Sequence, residues 1–557
     1  FCQLNSRIKM SIIYLDKRNI AIGLVTLAAM FTLGVVIGYY GRRTDYNVIP
    51  KSEALLRNND GTQDQFVNEK DLIAQTLEDV NSDNLRSYLQ RLTREPHIAG
   101  SSQDEELVEY IKNAWIDMGL DRVELAEYDF YLSWPNWVII FKLKPIFFEF
   151  RHFFHFQTNP NKVYLIDENG STIFTSKHKE EPLREGDDHP DFIHAFNAYT
   201  PPGTVEGDLV YVHYARVEDL KQLKDWGIDL KGKICMARYG KIFRGNKIKH
   251  CQDAGAIGVI LFSDPGDVAA QGTEPENVYP NTIFLPGSGI QRGGTSLLKG
   301  DPLSPTWASV PNAYRIKPEE VQGLPQIPAQ PIGYDDAKVL LKKMGGDEVP
   351  PEWRGNITEI TYRLGGLMEP SAYKVRLSTH NYFGNVKSSN ILGYIKGSIE
   401  PDRYVLLSNH RDAWGYGAVD PSSGTAQLME VARSFANLLK SGWRPRRTIV
   451  LASFAAEESG LEGSLEWVHH HTAKLMSRTV GLVNTDICVS GPIVKPQASP
   501  VLKDVVVNAL KMADDPTTEG SRKYYEFWDE WTNQNKSETK RVEPKISLLG
   551  SGSDHAP

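Results

Sequence analysis

From Asn390 onward, short apolar runs alternate with stretches whose apolar positions recur every three to four residues. Tyr404–Ser408, Thr448–Ser453 and Val480–Val483 read as strands. Ser423–Lys440, with Leu428, Val431, Ala432, Phe435 and Leu439 on one face, reads as a helix, and Gly463–Met476 as a second. Strand–helix–strand alternation predicts an α/β layer with a largely parallel sheet, in which ligands gather beyond the carboxyl ends of the strands.

The pattern differs upstream. Helical periodicity begins near Asp71, continues through Leu85–Leu89 and returns in Glu105–Trp115. From Val123 to Gly365 the texture is short β-like runs such as Leu209–His213, Lys233–Ala237 and Ile257–Phe262, broken by Gly and Pro. That predicts a mixed, β-rich domain. Ile20–Tyr40 is a charge-free run of 21 residues, long enough at about 1.5 Å per residue to cross a bilayer core of about 30 Å. Arg7, Lys9, Lys17 and Arg18 precede it while only Arg42 and Arg43 follow, which places the N-terminus in the cytoplasm. The expected layout is a tail at 1–19, a membrane span at 20–40, a polar stalk at 41–67, a first part of the α/β domain at 68–125, an apical domain at 126–384 and a second α/β part at 385–557. The sequons at Asn169, Asn356 and Asn535 all fall on the outer side of that span.

Composition changes this picture little. A chain of 557 residues carries more than one core, and a formal charge of −8 argues against a nucleic-acid partner, which favours a basic face. Cys2, Cys235, Cys251 and Cys488 are too few and scattered for a disulfide framework or a cysteine zinc site.

The candidate chemistry sits where the strands run out. His410 and Asp412 follow the first strand, Glu457 and Glu458 the second and Asp486 the third, with Asp420 shortly after the first. Imidazole nitrogen and carboxylate oxygen suit zinc, and carboxylates can bridge two ions. Of the adjacent Glu457 and Glu458, one could bind metal while the other moves a proton, and Asp412 could hold the second nitrogen of His410. Each piece also has a plain reading: His-x-Asp as a surface hydrogen bond, Glu-Glu as a solvated face, Asp420-Pro421 as a helix cap. His469–His471 fan around a helix axis and read as surface residues.

Longer strings carry a resemblance. PHIAG at Pro96–Gly100, DLVYVHYAR at Asp208–Arg216, RYGKIFRGNK at Arg238–Lys247, PIGYDDA at Pro331–Ala337, EPDRYVL at Glu400–Leu406 and WRPRRTIVLAS at Trp443–Ser453 resemble the glutamate carboxypeptidase II and N-acetylated-alpha-linked acidic dipeptidase family, over roughly residues 70–557. Transferrin receptor is a non-enzymatic relative. The resemblance implies a zinc aminopeptidase-like α/β sandwich with an inserted protease-associated (apical) domain. It implies two zinc ions bridged by Asp420, one completed by His410 and Asp486, the other by Glu458 and a distant histidine. Glu457 would be the general base, Asp412 the partner of His410, and Arg216 the group that holds a substrate's terminal carboxylate. A calcium site is also implied, but it keeps only Glu466, with His469 in place of its other carboxylate.

The chain departs from that pattern in two further places. Leu549–Pro557 resembles a motif upstream of the final zinc-ligand histidine, so the resemblance implies an incomplete piece that lacks this ligand and the helical dimerisation domain. The apolar insert 137–157 reads as a retained intron, with a loop that touches a membrane or partner as the alternative. The expectation is a membrane-anchored, type II zinc exopeptidase, homodimeric when complete, that releases an acidic C-terminal residue from small peptides. An aminopeptidase or dipeptidase of broader specificity is the second enzyme reading, and a non-catalytic receptor or pseudoenzyme the alternative of another class.

Overall fold

The computed structural model describes residues 69–135, 159–489, 491, 493–518, 522–534, 536–537 and 540–557, together with the strands Ala54–Leu56, Gln65–Val67, Val138–Phe141 and Phe153–Phe156. The expected tail and membrane span, and the sequon at Asn535, lie outside the described residues. No helix among the described residues is long and apolar enough to cross a membrane. In the expected stalk, Ala54–Leu56 pairs antiparallel with Gln65–Val67, and in the insert Val138–Phe141 pairs antiparallel with Phe153–Phe156.

Five strands form the central sheet: β1 (Arg122–Trp134), β2 (Tyr382–Ile395), β3 (Glu400–His410), β4 (Arg447–Phe454) and β5 (Thr479–Asn484), in the order β5-β3-β4-β2-β1. β3 is parallel to β4 and β5, whereas β2 is antiparallel to both β4 and β1. The sheet is therefore mixed, not largely parallel as expected. The parallel half is the part built by crossover helices, α1 (Ser422–Lys440) and α2 (Glu462–Arg478), because parallel neighbours require such connections. The antiparallel half comes from two long strands that leave for the apical domain and return from it. They run through positions 125/126 and 384/385, so the chain leaves this sheet after Trp134 and re-enters at Tyr382.

Alternation along the strands explains why both faces are covered. Val405, Leu407, Ile449 and Leu451 pack with Ile111 and Trp115 of the helix Ser102–Met118 and with Met429 and Phe435 of α1. Their neighbours Tyr404, Leu406, Val450 and Ala452 point the other way, onto Trp467 and Leu475 of α2. Every residue of β4 is buried, as a strand covered on both faces must be.

The apical domain is an α/β unit as much as a β-rich one. Leu209–Tyr211, Ile234–Arg238, Gly258–Phe262 and Ala329–Ile332 make a parallel four-stranded sheet, crossed by the helices Val217–Asp225 and Arg244–Asp253. A second, antiparallel sheet joins Thr172–Thr175, Lys162–Ile166, Lys374–Thr379 and Gly203–Gly207. Asn169 and Asn356 are both exposed, as glycosylation acceptors must be.

Candidate metal centre

His410 is the last residue of β3 and is fully buried. Its Nε2 faces three carboxylates from three different connections: Asp486 Oδ1 at 3.1 Å, Asp420 Oδ1 at 3.5 Å and Glu457 Oε2 at 3.7 Å. Asp486 follows β5, and Asp420 immediately precedes Pro421, the residue that caps α1. Gly424 permits this convergence, since a Cβ there would lie 2.0 Å from the Thr485 carbonyl and 2.4 Å from that of Asp486. The first turn of α1 can thus press against the exit of β5.

The loop after β4 is held tightly. Ala456 and Leu461 have positive φ of 51° and 61°, a conformation that disfavours a Cβ and persists only when surroundings enforce it. Asn390 supplies part of that force, accepting from Ala455 N at 3.0 Å and donating to the Gly463 carbonyl at 2.7 Å. Asp412 supplies the rest. Its fully buried carboxylate accepts the backbone N–H groups of Glu457 at 2.9 Å and Glu458 at 3.2 Å.

Asp412 also stands beside His410. Nδ1 of His410 lies 3.1 Å from the backbone carbonyl of Asp412 and 3.5 Å from its carboxylate. The carbonyl and, at longer range, the carboxylate hold the imidazole, and the carboxylate also positions the Glu457–Glu458 backbone. Behind both, Arg411 is buried against Asp104 at 2.9 Å and donates to the Ser388 hydroxyl at 3.0 Å.

The electrostatics follow from crowding. Burial works against a charged imidazole, yet Glu457, Asp412, Asp420 and Asp486 outweigh it and hold the pKa of His410 well above its ordinary value. Burial, Glu458, Asp554 and Asp486 push Glu457 well above the usual carboxylate range, with His410 pulling against them. Burial and Asp420 likewise raise Glu458. Burial and the neighbouring acids thus favour the protonated form of both glutamates.

One ligand atom each from His410, Asp420 and Asp486 lies within 4.8 Å of the others, a spacing one ion can span. One imidazole nitrogen and two carboxylate oxygens form a zinc-type donor set that leaves a position open. Glu458 stands outside that trio, its backbone on Asp412 and its carboxyl near Asp420 and Arg244. Calcium fits less well where it was implied. Both oxygens of the buried Glu466 already accept backbone N–H groups, from Asp301 at 2.9 Å and Ser309 at 2.6 Å, and His469 brings nitrogen where calcium takes oxygen. His469 and His471 are half-buried and His470 exposed, as expected of a surface run.

Arg216 is not in this cluster. It caps the apical helix Val217–Asp225, with Nε and Nη2 on Asp219 at 3.0 and 2.7 Å and Nη1 on Glu218 at 2.9 Å. Burial opposes the charge of Asp219, but hydrogen bonds from His213 and Arg216 outweigh it and hold its pKa at about 2. A carboxylate held below its unfolded value contributes stability that is present above that value and lost as pH falls through the folded one. The stabilisation of wild type over Asp219→Asn should therefore shrink between about pH 4 and about pH 2. Urea midpoints of both proteins across that range check this, and a pH-independent difference would contradict it.

Sequence reasoning missed Asp554. It is 5% exposed, and its charge acts on His410, Asp486 and Glu457. Burial pushes its pKa up to about 7. The only signal was its place in Leu549–Pro557.

Residues 390–539 match the model of peptidase family M28, and residues 205–298 match the PA domain. The chain is 37% identical over 538 residues to Aminopeptidase NAALADL1 of Mus musculus, covering 95% of this chain and 68% of that protein. It is 39% identical over 494 residues to a glutamate carboxypeptidase 2 homolog of Caenorhabditis briggsae, covering 87% and 61%. Probable glutamate carboxypeptidase LAMP1 of Arabidopsis thaliana is 34% identical over 447 residues, covering 79% and 59%. With an M28 model over residues 390–539, a PA domain before it and relatives of this identity along most of its length, the chain belongs to the glutamate carboxypeptidase and N-acetylated-alpha-linked acidic dipeptidase family of M28 metallopeptidases.

Proposed function

We propose that the chain is a zinc-dependent exopeptidase of small peptides, with the cleaved bond held at the exits of β3, β4 and β5. The observation that supports this most is the placement of Asp420, Asp486 and Glu457 around one imidazole nitrogen, at 3.5, 3.1 and 3.7 Å. Zinc held by His410, Asp420 and Asp486 would polarise the peptide carbonyl and acidify a water. A second ion, held with Glu458, belongs to the same reading.

Glu457 would take the proton released during attack on the carbonyl and give it to the departing amine. Burial and the acids beside it raise its affinity for that proton. Asp412 would keep Glu457 in place through its backbone, so that the carboxyl swings little between the two steps.

Release of an acidic C-terminal residue is the substrate reading, and it turns on Arg216. A guanidinium can grip a carboxylate with two parallel hydrogen bonds. Asp219 pre-orients it, and the exposed Glu218 is a partner that a substrate carboxylate could displace, because an exposed ion pair is worth only about 0–1 kcal/mol. A specific observation favours the second reading: all three guanidinium nitrogens of Arg216 already have a carboxylate partner, and one relative is named an aminopeptidase.

Mass spectrometry of products from a dipeptide library separates the two. In the carboxypeptidase reading the C-terminal residue is released, and Arg216→Ala lowers kcat/KM on acidic peptides about 10- to 100-fold, the worth of a charged hydrogen bond. N-terminal release with unchanged turnover in that variant would establish the aminopeptidase. Anchoring of the catalytic part outside the cytoplasm, through residues 20–40, completes the proposal. Its support is the charge-free run and its basic N-terminal flank, and carbonate extraction of membranes tests it.

A further inference from the structure

Arg216 leaves the apical domain in a defined direction because the three residues before it are pinned. The carbonyls of His213, Tyr214 and Ala215 each accept a hydrogen bond: from Arg238 N at 2.7 Å, from Lys247 Nζ at 2.7 Å and from His250 Nδ1 at 2.8 Å. His213 and Ala215 have positive φ of 54° and 53°, a backbone that persists only where its surroundings enforce it. Arg238 contributes a backbone N–H that almost any residue carries. Lys247 and His250 contribute side chains, three residues apart on one face of the helix Arg244–Asp253.

Lys247 is the costly member of the pair. It is fully buried, and burial pulls its pKa down to about 8. Its ammonium donates to two backbone carbonyls, that of Tyr214 and that of Gly240, the second also at 2.7 Å. Tyr214 and Gly240 follow adjacent strands of the parallel apical sheet, Leu209–Tyr211 and Ile234–Arg238. Lys241, next to Gly240, is again at positive φ, 67°. One ammonium thus ties together two strained turns beyond the carboxyl ends of those strands, where such sheets hold ligands. A methionine would fill the same volume without the cost of desolvating a charge, so what the charge adds is its hold on the two turns.

We propose that Lys247 and His250 are positioning residues for substrate recognition, fixing the His213–Ala215 turn so that the Arg216 guanidinium stands ready for a substrate carboxylate. This rests on the reading of Arg216 as the group that holds that carboxylate.

Calorimetric titration of the full chain with glutamate tests it, beside steady-state kinetics on a dipeptide ending in glutamate. In Lys247→Met, affinity for glutamate should fall about 10-fold and KM rise by as much, while kcat and zinc content stay near wild type, because the guanidinium is misplaced and the metal centre is not. That loss should vanish in an Arg216→Ala background, since a guanidinium that is absent cannot be misplaced. A loss that persists undiminished in Arg216→Ala, or a lower unfolding midpoint with unchanged affinity, would leave Lys247 a structural role alone and overturn the proposal. Unchanged affinity in Arg216→Ala, or no glutamate binding by wild type, would overturn the reading of Arg216 instead, and the proposal with it. If Lys247→Met does not fold, His250→Ala, which frees the Ala215 carbonyl, is titrated in its place with the same readings.

Discussion

Glu457→Gln should lower kcat about 100- to 10,000-fold with little change in the zinc bound per chain. The carboxyl lies 3.7 Å from the His410 imidazole but is pushed towards its protonated form by burial and by Glu458, Asp554 and Asp486. Glutamine keeps the size and removes the transferable proton. Because the carboxyl is already pushed towards its uncharged form, an uncharged amide of the same size should leave the variant no less stable than wild type. The pairing of lost turnover with intact zinc content and folding is the signature, read by steady-state kinetics, metal analysis and unfolding. Retained turnover would move the proton transfer to another group, with Glu458 next in line.

Asp412→Ala should be the most damaging single change in stability and also lower turnover. Its carboxylate is fully buried and accepts the N–H groups of both Glu457 and Glu458. Alanine leaves two buried donors unsatisfied, at about 1–3 kcal/mol each, in a loop that already holds Ala456 and Leu461 at positive φ. Turnover should fall a further 10- to 100-fold or so, as for other residues that orient a metal site. Asparagine is not a rescue here. With two N–H groups to accept, its amide must turn an NH₂ group towards one of them. Chemical denaturation and kcat of both variants check this, and an asparagine variant as stable and active as wild type would refute the placement of Asp412.

The α/β layer was largely legible in the sequence because its strands are continuous apolar runs and its helices carry an apolar stripe. The strand read at Thr448–Ser453 is Arg447–Phe454, and the helix read at Ser423–Lys440 is Ser422–Lys440. The long antiparallel pair β1–β2 was not legible. Much of Arg122–Trp134 is only half-buried or exposed, so its pattern is weak, and its partner lies on the far side of the apical domain. Strand-exit acids could be picked out one by one because each follows a recognisable strand. What could not be read was their division of labour, since the Asp412 contacts with Glu457 and Glu458 join two connections through backbone N–H groups that any residue carries. Asp554 was hidden for a similar reason. Its meaning depends on the chain returning to the strand exits after two further helices, Lys503–Met512 and Tyr524–Asn533. Arg216 was read, by resemblance, as the group that holds a substrate's terminal carboxylate, and its contact with Asp219 three residues on went unread.

The most direct test of a metal-dependent peptidase site at the exits of β3, β4 and β5 is dipeptide turnover by the purified chain under metal exchange, run beside His410→Ala. Turnover that a zinc chelator abolishes and added zinc restores in wild type, and that is absent from His410→Ala at any zinc concentration, is the expected result. Turnover that persists in His410→Ala, or that survives complete removal of metal from wild type, would contradict it.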